Sequence, residues 1–502
     1  MRDGVRLSAI VTLPDGPGPF PAVLTRTPDA IPATASPLVR AGYAVIQVNL
    51  RGLFDSEGVW RLFADEIADG YDTVEWIAAQ SWSNGKVGVL GSGASGFAGY
   101  LTLMSGAPHL SAGVVHDAHA SPYQTVTYPG GVYQSALVDG WVNTHGAEAP
   151  PVFPRPIFHK YGTRAASQDI RNFAGQIRVP ILHSTGWFDI ATQGTIDFFQ
   201  YAQNKGVEKA RGNQKLIIHP HGNSTRLPGT LRWDPEMPAF ESLSRRWFDF
   251  WMRSSDTGVH RLPPVQYYAL GAPGKKGPPG NEWRSLSGWP PAAEAESFFL
   301  LPGGGLSRTG SKQTTGSSSF DYDPMNPVPS IIAAPGDWLN RAPLDQRPLR
   351  NRADILRFTS MPRTSPVEIA GPVQAELFVS TTARDTDFFV RLIDIHPDGF
   401  EALMLAQPLR LRFRDGYDRM LPAHKNTIYK ITVDLWSTAM VFPSGHRIGL
   451  QITSSDVPRF DRHSNTWDPV PSYDKAVKAT NTVYHSAEYP SRLILPVVKP
   501  LR

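Results

Sequence analysis

The sequence contains no cysteine, which excludes disulfides, thiolate metal sites and a cysteine nucleophile. It also has no apolar run near the roughly 18 residues that a membrane-spanning helix requires. Its first residues, 1–4, lack the charged-then-apolar profile of a secretion signal. A large excess of one charge is missing too, because 49 basic residues face 45 acidic ones and no basic tract stands out. We therefore expect a cytoplasmic protein that binds neither membranes nor nucleic acid.

The chain has 502 residues, of which 41% are hydrophobic, so it can bury several cores and should form two or three domains. Before Gly258, strand-like runs such as 43–48 alternate with helical ones such as 64–80. This alternation predicts a parallel sheet with helices on both faces. After Gly258, segments rich in glycine and proline separate short alternating runs, which predicts an all-β sandwich or jelly roll.

The most informative stretch runs from Lys86 to Phe97. A short apolar run ends in a glycine-dense turn, and small and apolar residues typical of a helix follow it. Hydrolases of the α/β class raise a nucleophilic serine on such a turn, in the pattern G-x-S-x-G. In this chain the residue two positions after Gly91 is Gly93. The setting of a nucleophile is present, and the nucleophile is missing.

The chain resembles the family of cocaine esterases, α-amino-acid ester hydrolases and X-Pro dipeptidyl-peptidases. The resemblance covers nearly the whole chain and rests on segments that follow the family's order: 1–7, 19–24, 50–52, 56–58, 69–76, 82–88, 186–189, 246–248, 345–348, 385–388 and 391–399. It implies an α/β-hydrolase domain formed by 1–120 and 173–258, a helical cap inserted at 121–172, and a C-terminal jelly roll at 259–502. Asp385, Asp387 and Asp394 of that last part are expected to form hydrogen bonds in turns and loops.

The positions that would carry catalysis depart from the family pattern. The family's elbow, G-x-S-Y-x-G, puts its nucleophile on Gly93, and its histidine, in a pattern like G-P-W-x-H, falls on Asn223. A tyrosine that helps to stabilise the oxyanion follows R-x-P in the family, whereas Asp29 follows residues 26–28 here. Of the four positions, Asp189 alone keeps the family's residue, the aspartate of the triad.

A serine hydrolase needs an oxygen nucleophile and a histidine that accepts its proton, and neither Gly93 nor Asn223 can supply these. We therefore predict a repurposed enzyme in which Asp189 and Asp29, with His219 or His221, perform acid/base chemistry on a small organic substrate. Elimination, cyclisation, isomerisation or addition would fit. No cofactor and no metal is expected. The residues expected to contact substrate are those of the turn, Trp187 and two aromatics of the cap: Ser92, Ala94, Ser95, Trp187, Tyr123 and Trp141.

Other interpretations stay open at this stage. Ester or amide hydrolysis could use Ser92 or Ser95, although Ser95 is also placed to cap the following helix. The chain could instead be a non-catalytic binding or partner subunit, and it could form a homo-oligomer. Gly91-x-Gly93-x-x-Gly96 also matches a dinucleotide-binding fingerprint, with Asp117 about 20 residues later as the acid for a ribose.

Histidines outside the family pattern carry two further hypotheses. His219 and His221 could bind a metal ion with Asp189 or Asp29, but no further ligand spacing supports this. His116 and His119, which follow the next predicted strand, are expected to be buried structural residues.

Overall fold

The computed structural model describes residues 1–32, 36–144, 162–222, 231–332, 343–468 and 473–499. Two large sheets organise these residues. A nine-stranded sheet lies in the first half of the chain and an eleven-stranded sheet in the second. The predicted combination of an α/β part followed by an all-β part is confirmed.

The first sheet is parallel through its centre, as the alternation of strands and helices predicts. Its strands lie in the order β1-β3-β2-β4-β5-β6-β7-β8-β9, and only the two edge strands run antiparallel to their neighbours. The strands are β1 (Ala9–Thr12), β2 (Phe20–Thr27), β3 (Ala44–Asn49), β4 (Ser83–Ser92), β5 (Leu110–His116), β6 (Ile181–Gly186), β7 (Lys215–His219), β8 (Val265–Ala269) and β9 (Glu282–Leu286).

Helices cover both faces of this sheet, because successive strand residues point to opposite sides and both sides are apolar. The helices are α1 (Pro37–Arg40), α2 (Glu66–Ala78), α3 (Gly93–Met104), α4 (Ser135–Thr144), α5 (Thr163–Ala166), α6 (Ile170–Phe173), α7 (Thr192–Lys205) and α8 (Phe240–Arg253). In β2, Leu24 belongs to a core that includes residues of α2, α3 and α7, whereas Val23 belongs to a core that includes residues of α1 and α8.

Helix α2 lies where the apolar spacing predicts a helix over 64–80, and it ends slightly inside that range. Its buried face carries two acids beside the apolar residues, which the periodicity did not reveal. Glu66 pairs with Arg26 of β2 at 2.6 Å, and Asp69 pairs with Arg51 at 2.6 Å. These buried ion pairs join the helix to the strand and the loop that lead toward the upper edge of the sheet.

The predicted cap segment, 121–172, is helical where it is described. It contains a short helical turn at Tyr123–Thr127 and the helices α4, α5 and α6. Gly130 and Gly131 lie against the all-β part, since a Cβ on Gly130 would meet the carbonyl oxygen of Pro408 at 1.8 Å. The segment therefore bridges the two halves of the molecule.

The second sheet forms one continuous hydrogen-bonded path of strands, nearly all antiparallel. Its order is β12-β19-β14-β20-β10-β11-β13-β18-β15-β16, and β17 pairs with β14 outside this path. The strands are β10 (Glu294–Leu301), β11 (Gly305–Ser307), β12 (Ser317–Tyr322), β13 (Leu356–Ser360), β14 (Val367–Thr381), β15 (Asp387–Ile395), β16 (Glu401–Arg410), β17 (Tyr429–Phe442), β18 (Arg447–Thr453), β19 (Ala479–Tyr484) and β20 (Arg492–Val497).

The expectation of hydrogen bonds in turns and loops fits Asp385, which lies in the loop before β15, and it is wrong for Asp387 and Asp394, which lie within the strand. Asp387 accepts two hydrogen bonds from Arg410 of the neighbouring strand, at 2.7 and 2.8 Å, in a site that excludes water. Asp385 binds Arg412, and Asp394 binds a histidine. The charged partners of these aspartates are far away in the sequence, so the sequence alone did not reveal the pairs.

No helix in the described ranges is both long enough and apolar enough to cross a membrane.

Replacing Asp387 with alanine should destabilise the protein by about 3–5 kcal/mol, because Arg410 would stay buried without its two-bond carboxylate partner. Urea titration measures the loss. The matched control is Asp415→Ala, whose pair with Arg419 is exposed and 4.0 Å long and should cost at most about 1 kcal/mol. Equal losses in the two variants would contradict the buried pair's role.

Candidate active site

The carboxyl ends of the central parallel strands meet at one edge of the first sheet, and the candidate site lies there. Ser92 at the end of β4 is in register with His116 of β5, and Gly186 at the end of β6 is in register with His219 of β7. Leu24 of β2 lies opposite Val89 of β4, so the end of β2 is level with Ser92. Chain segments far apart in sequence thus deliver their polar residues to a common edge.

A sharp turn joins β4 directly to α3. Ser92 is extended, with φ −141° and ψ 144°, and Gly93 follows in the left-handed region with φ +57° as the first residue of the helix. This is the strand–turn–helix geometry that lifts a nucleophile above a sheet. The left-handed residue in this chain has no side chain.

The glycines around the turn meet different surroundings. A Cβ on Gly91 would lie 2.4 Å from the carbonyl oxygen of Ser95, and one on Gly96 would lie 2.9 Å from that of His116. Both positions therefore require glycine for close packing. A Cβ on Gly93 would meet nothing within 4 Å. The turn keeps its steric requirements at both ends and opens into free space at its centre.

The two serines of the turn differ in their bonding. Ser95 Oγ donates to the carbonyl oxygen of Ser92 at 2.8 Å and accepts from the amide of Ser92 at 3.0 Å. The predicted capping role of Ser95 is confirmed, since its hydroxyl closes the first turn of the helix. Ser92 is exposed, and Ala94 lies half-buried in the first turn of α3.

Two carboxyl groups lie together beyond β5 and β6. Asp189 is buried, and its Oδ1 accepts from the amide of Ala191 at 2.7 Å. Asp117 lies next to it with φ +48°, its amide donating to the carbonyl oxygen of Ser184 at 2.8 Å. Burial first, and the negative charge of Asp189 second, raise the pKa of Asp117 to about 8. Asp117 therefore holds a proton at neutral pH beside a buried carboxyl group.

Three histidines and Phe240 form a cluster at the same edge. The rings of His116 and His219 lie 5.6 and 6.0 Å from that of Phe240, and His219 lies 5.8 Å from His221. Burial, and then the neighbouring histidines, lower the pKa of His219 to about 3. Its Nδ1 is buried and has no hydrogen-bond partner among the described residues. His219 is therefore a neutral imidazole at physiological pH.

The remaining histidines differ from it in their bonding. His221 Nε2 lies 2.8 Å from the carbonyl oxygen of Trp233, an acceptor, so this nitrogen carries the proton and a neutral His221 keeps its lone pair on Nδ1. The ring of His116 bonds the hydroxyl of Ser184, and burial lowers its pKa to about 4. His119 is buried against Thr125, in line with the structural role expected of it.

Asp29 lies just beyond the end of β2 and is exposed. Its amide donates to Thr27 Oγ1 at 3.0 Å, and Asn49 donates to its carbonyl oxygen at 3.0 Å. The structure thus brings Asp29 to the edge that carries the turn. Asn223, the position of the family's histidine, lies outside the described residues.

Among the described residues, Asp189 and Asp29 form no set of three closely spaced donor atoms with His219 and His221, so the geometry adds no support for a metal ion at this edge.

The aromatic residues expected to line a pocket divide into two groups. The ring of Trp141 stacks on Phe63 at 5.8 Å, and Phe63 in turn contacts Phe97 of α3 at 4.9 Å, so this wall stands beside the turn. Tyr123 is buried and packs toward Tyr417 of the all-β part, at 6.2 Å. Trp187 is also buried, and its Nε1 donates to the carbonyl oxygen of Tyr268 at 2.7 Å. Tyr123 thus packs against the all-β part, whereas Trp187 is fixed to β8 of the first sheet and lines a small cavity together with Asp189.

Sequence reasoning weighed Asp117 only as a ribose-binding acid and overlooked Phe63. The position of Asp117 directly after a predicted strand was the available signal, because every residue at that place in a parallel sheet reaches the same edge. The negative charge of Asp189 acts on its carboxyl group and burial favours its neutral form, which disfavours the dinucleotide interpretation. Phe63 offered no signal, because a loop brings it to α3.

Known proteins match both halves of the chain. Residues 3–156 match the model of the X-Pro dipeptidyl-peptidase (S15 family), and residues 257–494 match that of the X-Pro dipeptidyl-peptidase C-terminal non-catalytic domain. The cocaine esterase of Rhodococcus sp. (strain MB1 Bresler) is 30% identical over 99% of this chain and 97% of that protein.

Solved structures match over the same extent. An α-amino-acid ester hydrolase superposes with a TM-score of 0.84 at 25% identity, over 99% of this chain and 95% of that one. An aminopeptidase from a Thaumarchaeota archaeon superposes with a TM-score of 0.83 at 23% identity over the same shares, which shows a shared fold.

The raised pKa of Asp117 makes stability depend on pH. Between its ordinary value of 3.8 and about 8, the folded protein holds a proton that the unfolded chain releases. The free energy of unfolding should therefore fall as pH rises through this range, by up to about 1.4 kcal/mol per pH unit. Asp117→Asn removes this titration, so the variant should gain stability relative to the wild type up to about pH 8.

Urea titrations at a series of pH values measure this gain. Asp55→Asn, at an exposed aspartate, is the control and should follow the wild type. A difference between Asp117→Asn and the wild type that stays constant from pH 4 to pH 8 would show that Asp117 is ionised in the folded protein.

Proposed function

This chain belongs to the family of cocaine esterases, α-amino-acid ester hydrolases and X-Pro dipeptidyl-peptidases, and we propose that it transfers protons without forming an acyl-enzyme. The proposed reaction is an elimination, cyclisation, isomerisation or addition on a small organic substrate. Relatives named for cocaine and for α-amino-acid esters support a substrate of that size.

One observation carries the proposal. The left-handed residue of the turn, where the family raises its nucleophile, is Gly93, and the space around its missing side chain is open. The neighbouring glycines still meet the close contacts that the turn imposes. Loss of the nucleophile on an intact turn favours a site with a changed reaction over a site that has decayed.

The carboxyl pair supplies the acid/base groups. Asp117 holds a proton at neutral pH, because its pKa is raised to about 8, and it can act as the general acid. Asp189, the buried neighbour whose charge helps to raise that pKa, is the proposed proton acceptor. When the surroundings of two neighbouring carboxyl groups give them different pKa values, one group can act as the acid and the other as the base.

The histidines and Asp29 have narrower roles in this proposal. His219 is a weak proton acceptor, because its conjugate acid has a pKa of about 3, so it would orient substrate through a hydrogen bond. His221 uses its Nε2 in the bond to the carbonyl oxygen of Trp233, so Nδ1 is the nitrogen of this ring that would accept a proton. Asp29 is exposed just beyond the end of β2, and a carboxylate there would repel an oxyanion and favour a cationic group on the substrate.

A fluorophosphonate probe tests the missing nucleophile. We expect the wild-type protein to remain unlabelled at Ser92 and Ser95 by intact-mass and peptide-mapping analysis, because Ser95 is bound to the backbone of Ser92. Stoichiometric labelling at either serine would establish a working serine hydrolase and overturn the proposal.

The positive control is the double variant Gly93→Ser, Asn223→His, which restores the family's two residues. The serine fits the open space at position 93, at a strain cost of about 1–2 kcal/mol for a left-handed residue. We expect labelling at position 93 in this variant.

Proton transfer itself is measured by deuterium incorporation, in D₂O, into small esters and related compounds that bind the protein. Asp189→Asn and Asp117→Asn should each slow exchange by about 100-fold or more, the usual contribution of a positioned acid or base. Asp15→Asn, at an exposed position of the first loop, should leave the rate unchanged. Binding without exchange or turnover would identify a binding protein instead.

A further inference from the structure

A second cluster of reactive side chains lies in the all-β part, within β15, β18 and the loops that extend them. Asp394 is near the end of β15, and the strand pairs with β18 so that Ile395 lies opposite Arg447. The next pair in this register is His396 and His446. Side chains two residues apart share one face of a strand, and directly opposed residues share it too. The pattern Asp-x-His on one strand, with a histidine across from it, therefore collects three ligand atoms on one face.

The distances bear this out. His446 Nδ1 lies 2.9 and 3.1 Å from the two carboxylate oxygens of Asp394, and His396 Nε2 lies 3.5 Å from Asp394 Oδ2. One donor atom from each residue falls within 4.8 Å of the other two. In a tetrahedral zinc site with bonds of about 2.0–2.1 Å, neighbouring ligand atoms are about 3.3 Å apart. The observed spacing is close to that of three corners of such a site.

The bonding of the cluster is incomplete. Asp394 and His446 satisfy each other, whereas His396 Nε2 is buried and has no hydrogen-bond partner within the described ranges. Leaving a buried polar atom without a partner is unfavourable, because it has lost its hydrogen bond to water. A pair between Asp394 and His446 alone does not explain the cluster, because His396 Nε2 then lies 3.5 Å from the carboxylate without a hydrogen bond.

The surroundings hold the second imidazole in place. The amide of His396 donates to the carbonyl oxygen of Phe400 at 2.9 Å, and the two rings lie 5.3 Å apart. The rings of His396 and His446 are 4.4 Å apart. The nearby Arg347 is paired with Asp345 at 2.6 Å. The side chain of His396 is 13% exposed, so the cluster lies close to the protein surface.

We propose that Asp394, His396 and His446 form a binding site for a divalent transition-metal ion of the zinc type. Two imidazole nitrogens and a carboxylate oxygen are the donor set that suits Zn²⁺. Binding would replace the hydrogen bond between His446 Nδ1 and Asp394, with a proton on Nδ1 passing to Nε2 of the same ring or to solvent, and it would supply the missing partner of His396 Nε2. The site joins β15 to β18 and is built apart from the carboxyl edge of the first sheet.

Zinc titration of the full chain tests the proposal. After dialysis against a chelator, the protein should bind one Zn²⁺ per chain at this site by calorimetry and by metal analysis after gel filtration. His396→Phe removes the nitrogen and keeps a ring against Phe400, and it should weaken this binding by more than about tenfold. His424→Phe is the matched control at an exposed histidine of the same part of the chain, and it should bind zinc like the wild type.

A second measurement needs no variant. One equivalent of Zn²⁺ should protect His396 from diethylpyrocarbonate in the wild-type protein, as seen by peptide mapping, while His424 stays reactive. Absence of zinc binding, unchanged affinity in His396→Phe, or modification of His396 that zinc does not slow would each overturn the proposal.

Discussion

The tight turn between β4 and α3 is the constraint on which the candidate site depends. A chain that passes from strand to helix within one residue must place that residue in the left-handed region and bring its neighbours into backbone contact. Gly91 and Gly96 satisfy the second requirement, and Gly93 satisfies the first without strain. The same geometry that pushes a serine out of the sheet in a hydrolase here opens the space beside the start of α3. The turn thus keeps its form, and its left-handed position carries no side chain.

Burial at the sheet edge sets the charge of the acidic and histidine side chains that lie there. Asp117 and Asp189 come from neighbouring strand ends and cannot both be readily ionised, so one of them retains a proton at neutral pH. The histidine cluster responds to burial in the opposite sense, because an imidazole loses its charge where a carboxyl group gains a proton. An edge with a protonated acid, a buried carboxyl group and neutral imidazoles is suited to moving protons within a confined substrate.

The all-β part uses charge in a different way. The buried Arg410–Asp387 pair crosses from β16 to β15 with two hydrogen bonds, which compensates the cost of removing both charges from water. Asp394 lies near the end of the same strand, β15, and His396 follows the strand, so that both lie close to His446. The register that aligns the ion pairs also aligns these ligands, so one structural rule explains both the stability of the sheet and the proposed metal site.

The sequence by itself determined the two-part architecture, because apolar periodicity and the placement of glycine and proline are local signals of how each segment is buried. It also placed the residues of the turn, since Gly93 and its neighbours are contiguous in the chain. It did not determine that Asp117 lies near Asp189, that the histidines at the sheet edge lose their charge, or that Asp394 meets His396 and His446. Those properties arise between residues tens of positions apart, and only the register of the strands and the exclusion of water in the folded structure bring such residues together and shift their charge.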